Sequence, residues 1–204
     1  MYVLRNLFIK NAVQYYFMKV LGLVSSPRKG GNGQTLVENV LAGAAENGAE
    51  TELIRLTDVE LKPCLDCGFC KKEGNTTCMQ KDAMADIYAK LEAADAVVFG
   101  MPIYYGRPNA PFLGFIDRMY AMANPDFSSR LPKDKKFATV ITLGGGGLDV
   151  VEANHATLAG IFGGMFGWTD CGFLWKNMMH DRKAVAGNPE AIAEAKAFGQ
   201  KLTE

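Results

Sequence analysis

Four of the five cysteines in this 204-residue chain, Cys64, Cys67, Cys70 and Cys78, are crowded into the pattern C-x2-C-x2-C-x7-C. Thiolates spaced three residues apart in a loop can wrap successive corners of a cubane, and a fourth further along can close it, which is how iron-sulfur clusters are held. Zinc also accepts four cysteines, but usually as two separated pairs, so the evenly spaced third cysteine favours a [4Fe-4S] cluster over zinc or redox-active free thiols. Gly68 and Gly74 relieve the backbone where amides can turn toward sulfur. Cys171 stands apart inside a strand pattern and reads as a small buried hydrophobe. A disulfide framework would spread its cysteines across elements, and the first 17 residues lack the layout of a secretory leader, so a reducing cytoplasm is expected.

A second constellation is SSPRKGGNGQT at residues 25–35. Gly30, Gly31 and Gly33 let backbone amides approach an anion, Ser26 and Thr35 offer hydroxyls, Asn32 an amide and Arg28 a fork of donors, while the helix that follows turns its positive end inward. The segment fits neither G-x-x-x-x-G-K-[ST] nor G-x-G-x-x-G, which argues against a nucleoside triphosphatase and a dinucleotide site and for a mononucleotide phosphate. In MPIYYGRPN, residues 101–109, Pro102, Ile103, Tyr104, Tyr105 and Gly106 combine a stiff backbone with flat aromatic surface suited to a planar ring. The run from Gly144 to Gly147, with Gly145 and Gly146 at its centre, lets a ligand touch the backbone closely. A phosphate at one end and a flat ring at the other describe flavin mononucleotide, FMN.

These loops need strands and helices to hold them. Apolar runs at residues 18–25, 51–56, 96–101, 137–143 and 169–174 alternate with helical patterns beginning at Thr35, after Asp82, through Phe112 to Tyr120, from about Val150 to Phe166, and after Asn188-Pro189. Nearly continuous apolar strands alternating with helices predict a parallel sheet covered on both faces. The expected fold is a flavodoxin-like, doubly wound α/β sandwich with five strands in the order 2-1-3-4-5, whose ligand sits beyond the carboxyl ends of the strands. Residues 1–17 stand outside this alternation as an N-terminal extension, and residues 18–204 form one domain with a cysteine-rich loop at 57–81.

Composition narrows the function classes. Twenty-two basic against 22 acidic side chains leave no net charge, so no global positive field attracts nucleic acid or an anionic membrane. The apolar runs stop short of the roughly 20 residues that a membrane helix needs. His155, in an apolar glycine-rich helix, and His180, in a late loop, have no partnering motif and read as structural or solvated. No general acid or base stands out, as expected when a cofactor carries the chemistry.

The SSPRKGGN loop, PIYYG with the later Asp117-Arg118, the glycine loop and the compact cysteine loop resemble the iron-sulfur flavoproteins, a branch of the NAD(P)H-dependent FMN reductase-like flavodoxin fold. The resemblance runs from about Met18 to about Leu174. It implies that Ser26, Arg28, Asn32 and Gln34 surround the FMN phosphate, that Pro102 to Gly106 run along the isoalloxazine, and that the four clustered cysteines ligate iron. Ser25 and Gly33 depart from the family pattern, leaving Thr35 to replace a phosphate hydroxyl. The resemblance further implies homodimers or homotetramers. The expected activity passes electrons, from a ferredoxin-like donor or NAD(P)H, between cluster and FMN to a small acceptor such as a quinone or an oxygen species. The alternatives are a cluster-free NAD(P)H-dependent FMN or quinone reductase and a flavodoxin-like binding module.

Overall fold

The structure, a computed structural model, describes residues 7–9, 12–14 and 17–204, with side chains from residue 17 onward. Of the expected extension, the description covers Phe17 and an antiparallel pair of short strands, β1 (Leu7–Ile9) and β2 (Ala12–Gln14). The remainder of that expectation lies outside the described residues.

The chain then alternates as the apolar runs predict: β3 (Lys19–Val24), α1 (Asn32–Glu46), β4 (Glu50–Arg55), α2 (Met84–Ala93), β5 (Ala96–Tyr104), β6 (Arg107–Pro108), α3 (Ala110–Arg118), β7 (Lys136–Thr142), α4 (Leu148–Leu158), β8 (Thr169–Lys176) and α5 (Pro189–Leu202). The five longer strands are parallel and lie in the order β4-β3-β5-β7-β8. The sheet nevertheless has six strands where five were expected, because β6 folds back antiparallel on the end of β5.

Side chains alternate across each strand, so successive residues face opposite layers. Leu21, Leu23, Val97 and Phe99 pack with Met84 and Leu91 of α2, Phe112 and Phe115 of α3, and Val151 of α4. Val20, Val24, Val98 and Val140 pack instead with Val37 and Val40 of α1 and Ala195 and Leu202 of α5. On this second face α1 and α5 touch backbone to backbone. A Cβ on Gly43 would lie 2.0 Å from the Lys196 carbonyl oxygen, and one on Gly199 would lie 1.8 Å from that of Val40.

Several element ends differ from expectation for identifiable reasons. Helix α1 starts at Asn32 rather than Thr35, so the glycine-rich segment supplies its first turn. Pro102 does not stop β5; it lies beyond Gly100, the last β5 residue paired with β3, and its missing N–H leaves no partner there unsatisfied. Ala83, not Asp82, occupies the α2 cap position, although the Asp82 carboxylate accepts from the Met84 N–H at 3.1 Å. The helix expected to about Phe166 is α-helical only to Leu158 and continues as a π-helix over Ala159–Met165, which contains Gly160, Gly163 and Gly164. Asn188 and Pro189 open α5 as expected, the Asn188 side chain accepting from the Ala191 N–H.

Candidate active site

All five parallel strands end on one side of the sheet, and a cavity of about 520 Å³ opens beyond β3, β5 and β7 there. Its walls include Ser26, Arg28, Asn32, Pro102, Ile103, Tyr104, Tyr105, Gly106 and Gly145 from the sequence-derived site. Three loops distant in sequence are thus joined. Gln34, Thr35 and Gly146 do not line this cavity. Gln34 works behind the first loop: its amide oxygen accepts from the Gly30 N–H at 2.7 Å and from Arg55 Nη1. Thr35 is already inside the first helical turn, its N–H bonded to the Gly31 carbonyl at 2.9 Å.

At one end of the cavity Gly31 stands at the cap position of α1 and offers no side-chain cap, and Asn32 and Gly33 are buried in the wall. Helix first-turn N–H groups have no partners within the helix, so this end suits an anion. At the other end Tyr105 (φ 52°) and Gly106 (φ 78°) form the two-residue turn between β5 and β6, a backbone shape of the type I′ hairpin. The turn is held by α4, where Asn154 Nδ2 donates to the Gly106 carbonyl at 3.0 Å. Tyr105 is fully exposed and Tyr104 partly so.

Gly144, the start of the predicted glycine run, lines the cavity too, whereas sequence reasoning missed Thr142, Leu143, Val150, Met179 and His180, all of which line it. Met179 and His180 belong to the segment after β8, which lies across the first loop. Arg28 Nη1 donates to the carbonyls of Met179 (3.4 Å) and His180 (3.3 Å), and Asn32 donates to the Asp181 carbonyl (2.6 Å) and accepts from the Val185 N–H (3.0 Å). His180 therefore sits in the site rather than in an isolated loop, with its imidazole 3.0 Å from where a Gly144 Cβ would stand. His155 has the structural place expected of it, between Thr139 (2.9 Å) and Asp170 (3.0 Å).

The cysteine loop leaves the same end of the sheet from β4. Cys64, Cys67, Cys70 and Cys78 all line one further cavity, with Gly68, Arg118 and Tyr120 also in its wall. The loop turns through left-handed residues Asp66 (φ 47°) and Gly68 (φ 66°). Cys64 and Cys67 are exposed and Cys70 is buried; burial pushes the Cys70 thiol up, against the pull of Lys71. Lys71 Nζ donates to the Tyr120 carbonyl (2.7 Å), and Arg130 Nη2 to the Cys70 carbonyl (2.7 Å), fastening the loop to the segment after α3. As the side chains lie, the free space is about 20 Å³, and among the described residues no three His, Cys, Asp or Glu converge on a single metal ion. A cubane spaces its thiolates further apart than one ion does, and the donor set here is four cysteines lining one cavity.

Residues 18–169 match the sequence profile of a family described as NADPH-dependent FMN reductase. The chain belongs to that family. The chain is also similar to an iron-sulfur flavoprotein of Methanocaldococcus jannaschii, 43% identical over 101 residues, which covers 50% of this chain and 51% of that protein. An iron-sulfur flavoprotein of Methanosarcina thermophila is 31% identical over 128 residues, covering 63% of this chain and 64% of that protein. The matched part thus spans about half to just under two thirds of these relatives' length. Among solved structures, an NAD(P)H:quinone oxidoreductase from Methanothermobacter marburgensis superposes with a TM-score of 0.71 at 16% identity, covering 93% of this chain and 98% of that one. This likeness shows the fold: a flavodoxin-type parallel α/β sheet is shared where little sequence is. No helix among the described residues of this FMN reductase family member is long and apolar enough to cross a membrane.

Proposed function

We propose that the chain is an FMN-dependent oxidoreductase of the iron-sulfur flavoprotein type, passing electrons between a [4Fe-4S] cluster and FMN to a small acceptor. The observation that carries this reading is the presence, at one end of one sheet, of both the 520 Å³ cavity and the four-cysteine cavity. The larger is of ordinary size for a cofactor site, about 300–1,000 Å³. Residues 18–204 are the FMN-binding domain. The amides of the first turn of α1, with Ser26, Arg28 and Asn32, hold the phosphate, while Gln34 and Thr35 support the loop behind it. Pro102, Ile103, Tyr104, Tyr105 and Gly106 lie along the flavin ring, and Gly145 and Gly146 admit it close to the backbone. Cys64, Cys67, Cys70 and Cys78 ligate the cluster.

A cluster exchanges one electron and a flavin one or two, so the pair couples single-electron delivery to two-electron reduction. The chain's own part is to bind, orient and shield. Electrons enter from a ferredoxin-like donor or NAD(P)H and leave to a small acceptor, in a cytoplasmic homodimer or homotetramer. A cluster-free NAD(P)H-dependent FMN or quinone reductase, with zinc or free thiols at the cysteines, is the second reading; the water-sized space between the thiols favours it. Iron, acid-labile sulfide, zinc and FMN per chain, measured in protein purified without oxygen, decide between them. About four iron and four sulfide with one FMN is the expected result. FMN without iron leaves the second reading, and a colourless protein leaves a binding module.

A further inference from the structure

Arg118, at the end of α3, is buried with its side chain 1% exposed, opposite the equally buried carboxylate of Asp82. The pairing is end-on: Nη1 and Nη2 meet the two carboxylate oxygens, and Nη1 also donates to the Lys62 carbonyl at 2.7 Å. This uses the terminal nitrogens and leaves Nε without an acceptor. Among the described residues it is the only buried side-chain nitrogen or oxygen with no hydrogen-bond partner. A buried unsatisfied donor costs about 1–3 kcal/mol, and more when it is charged, so such a group is conspicuous. Arg118 lines the cavity walled by Cys64, Cys67, Cys70 and Cys78.

The cavity's chemistry narrows the missing acceptor. Asp66, Gln80 and Tyr120 also line it, but none of them accepts from Nε, which leaves the four cysteine sulfurs; a thiol is a weak acceptor, whereas a metal-bound thiolate or sulfide carries negative charge and accepts well. Resting on the reading that the four cysteines hold an iron-sulfur cluster, we propose that the Arg118 Nε–H donates a hydrogen bond to a sulfur of that cluster and thereby raises its reduction potential. Hydrogen bonds to sulfur and net local charge both set such potentials. Asp82 fixes the fork so that the donor is presented, and its negative charge partly offsets the guanidinium.

Two substitutions with opposite expected signs test this. Arg118→Lys keeps a cation for Asp82 but lacks the Nε–H. Asp82→Asn keeps the Arg118 donor and removes the offsetting charge. Wild type and both variants are purified without oxygen, assayed for iron, sulfide and FMN, and titrated with dithionite while the reduced cluster is followed by electron paramagnetic resonance. Arg118→Lys is expected to lower the reduced-to-oxidised ratio at fixed potential about tenfold, a shift of about 59 mV for a one-electron couple, and Asp82→Asn to move it the other way. Unchanged potentials, or shifts of the same sign in both variants, overturn the proposal while leaving the cluster in place. Loss of iron from both variants with FMN retained also overturns it, reducing the pair to a clamp on the loop. A wild-type protein without iron overturns the reading on which the proposal rests, and the proposal with it.

Discussion

Ser25 and Asn109 exchange two buried hydrogen bonds, Ser25 Oγ to Asn109 Oδ1 and Asn109 Nδ2 to the Ser25 carbonyl, each 2.7 Å long. They tie the end of β3, where the glycine-rich loop begins, to the residue before α3, just beyond the tyrosine turn. The Asn109 side chain does not cap α3, so its removal leaves that cap intact and isolates the tie between the loops. Asn109→Ala leaves Ser25 Oγ only its longer bond to the Gly100 carbonyl (3.3 Å) and takes the side-chain donor from the buried Ser25 carbonyl, at about 1–3 kcal/mol. FMN affinity, followed by quenching of flavin fluorescence, is expected to fall about tenfold, alongside a lower urea midpoint. An unchanged affinity would separate the two loops functionally.

Arg28 lies in the cavity wall while donating to the carbonyls of Met179 and His180. A cation that also meets the phosphate acts on FMN but not on riboflavin, which lacks that group. A charge-assisted hydrogen bond contributes about 1.5–3 kcal/mol, so Arg28→Ala is expected to weaken FMN binding about tenfold to a hundredfold and riboflavin binding far less. Equal losses for both ligands in parallel titrations would mean that Arg28 acts only by holding the segment after β8.

The contrast between Ser26 or Tyr104 and His180 explains what was legible in the sequence. A glycine-rich or aromatic loop between an apolar run and a helical pattern carries its meaning locally, so both of the first two residues could be assigned to a site. His180 reaches that site because its neighbouring carbonyls accept from Arg28, a contact across 152 positions of chain that leaves no local mark. Arg118 is hidden in the same way, since its role depends on Asp82, 36 residues earlier. Apolar alternation foretold the parallel layers, whereas the β6 turn-back and the passage of α4 into a π-helix arise from backbone geometry around glycines.

The Arg118–Asp82 pair also gives the fold an acid-sensitive contact. Burial works to raise the Asp82 carboxyl, but the hydrogen bonds from Arg118 and from the Lys62 and Met84 amides outweigh it and hold the carboxyl below its usual 3.8. A carboxyl depressed in the folded state contributes stability that is full above the unfolded value and is lost as pH falls through the folded one. Urea midpoints of cofactor-free protein between about pH 5 and about pH 2 are therefore expected to fall more steeply for wild type than for Asp82→Asn. Parallel slopes would exclude Asp82 as a source of the acid sensitivity.

Gly199 tests how firmly α1, and with it the end of the cavity that α1 forms, is set by α5. In an open helix position Gly→Ala is favourable by up to about 1 kcal/mol. Here a Cβ would stand 1.8 Å from the Val40 carbonyl oxygen and 3.0 Å from the Ala44 nitrogen, both backbone atoms that can yield only if the helices part. Gly199→Ala is therefore expected to lower stability by about 1–3 kcal/mol or more, with weaker FMN binding as α1 moves. Gly164→Ala, where nothing lies within 4 Å, serves as the control and should stay within about 0.5 kcal/mol of wild type. Urea unfolding of the two variants reads the comparison directly, and equal midpoints would show that α5 can shift without disturbing α1.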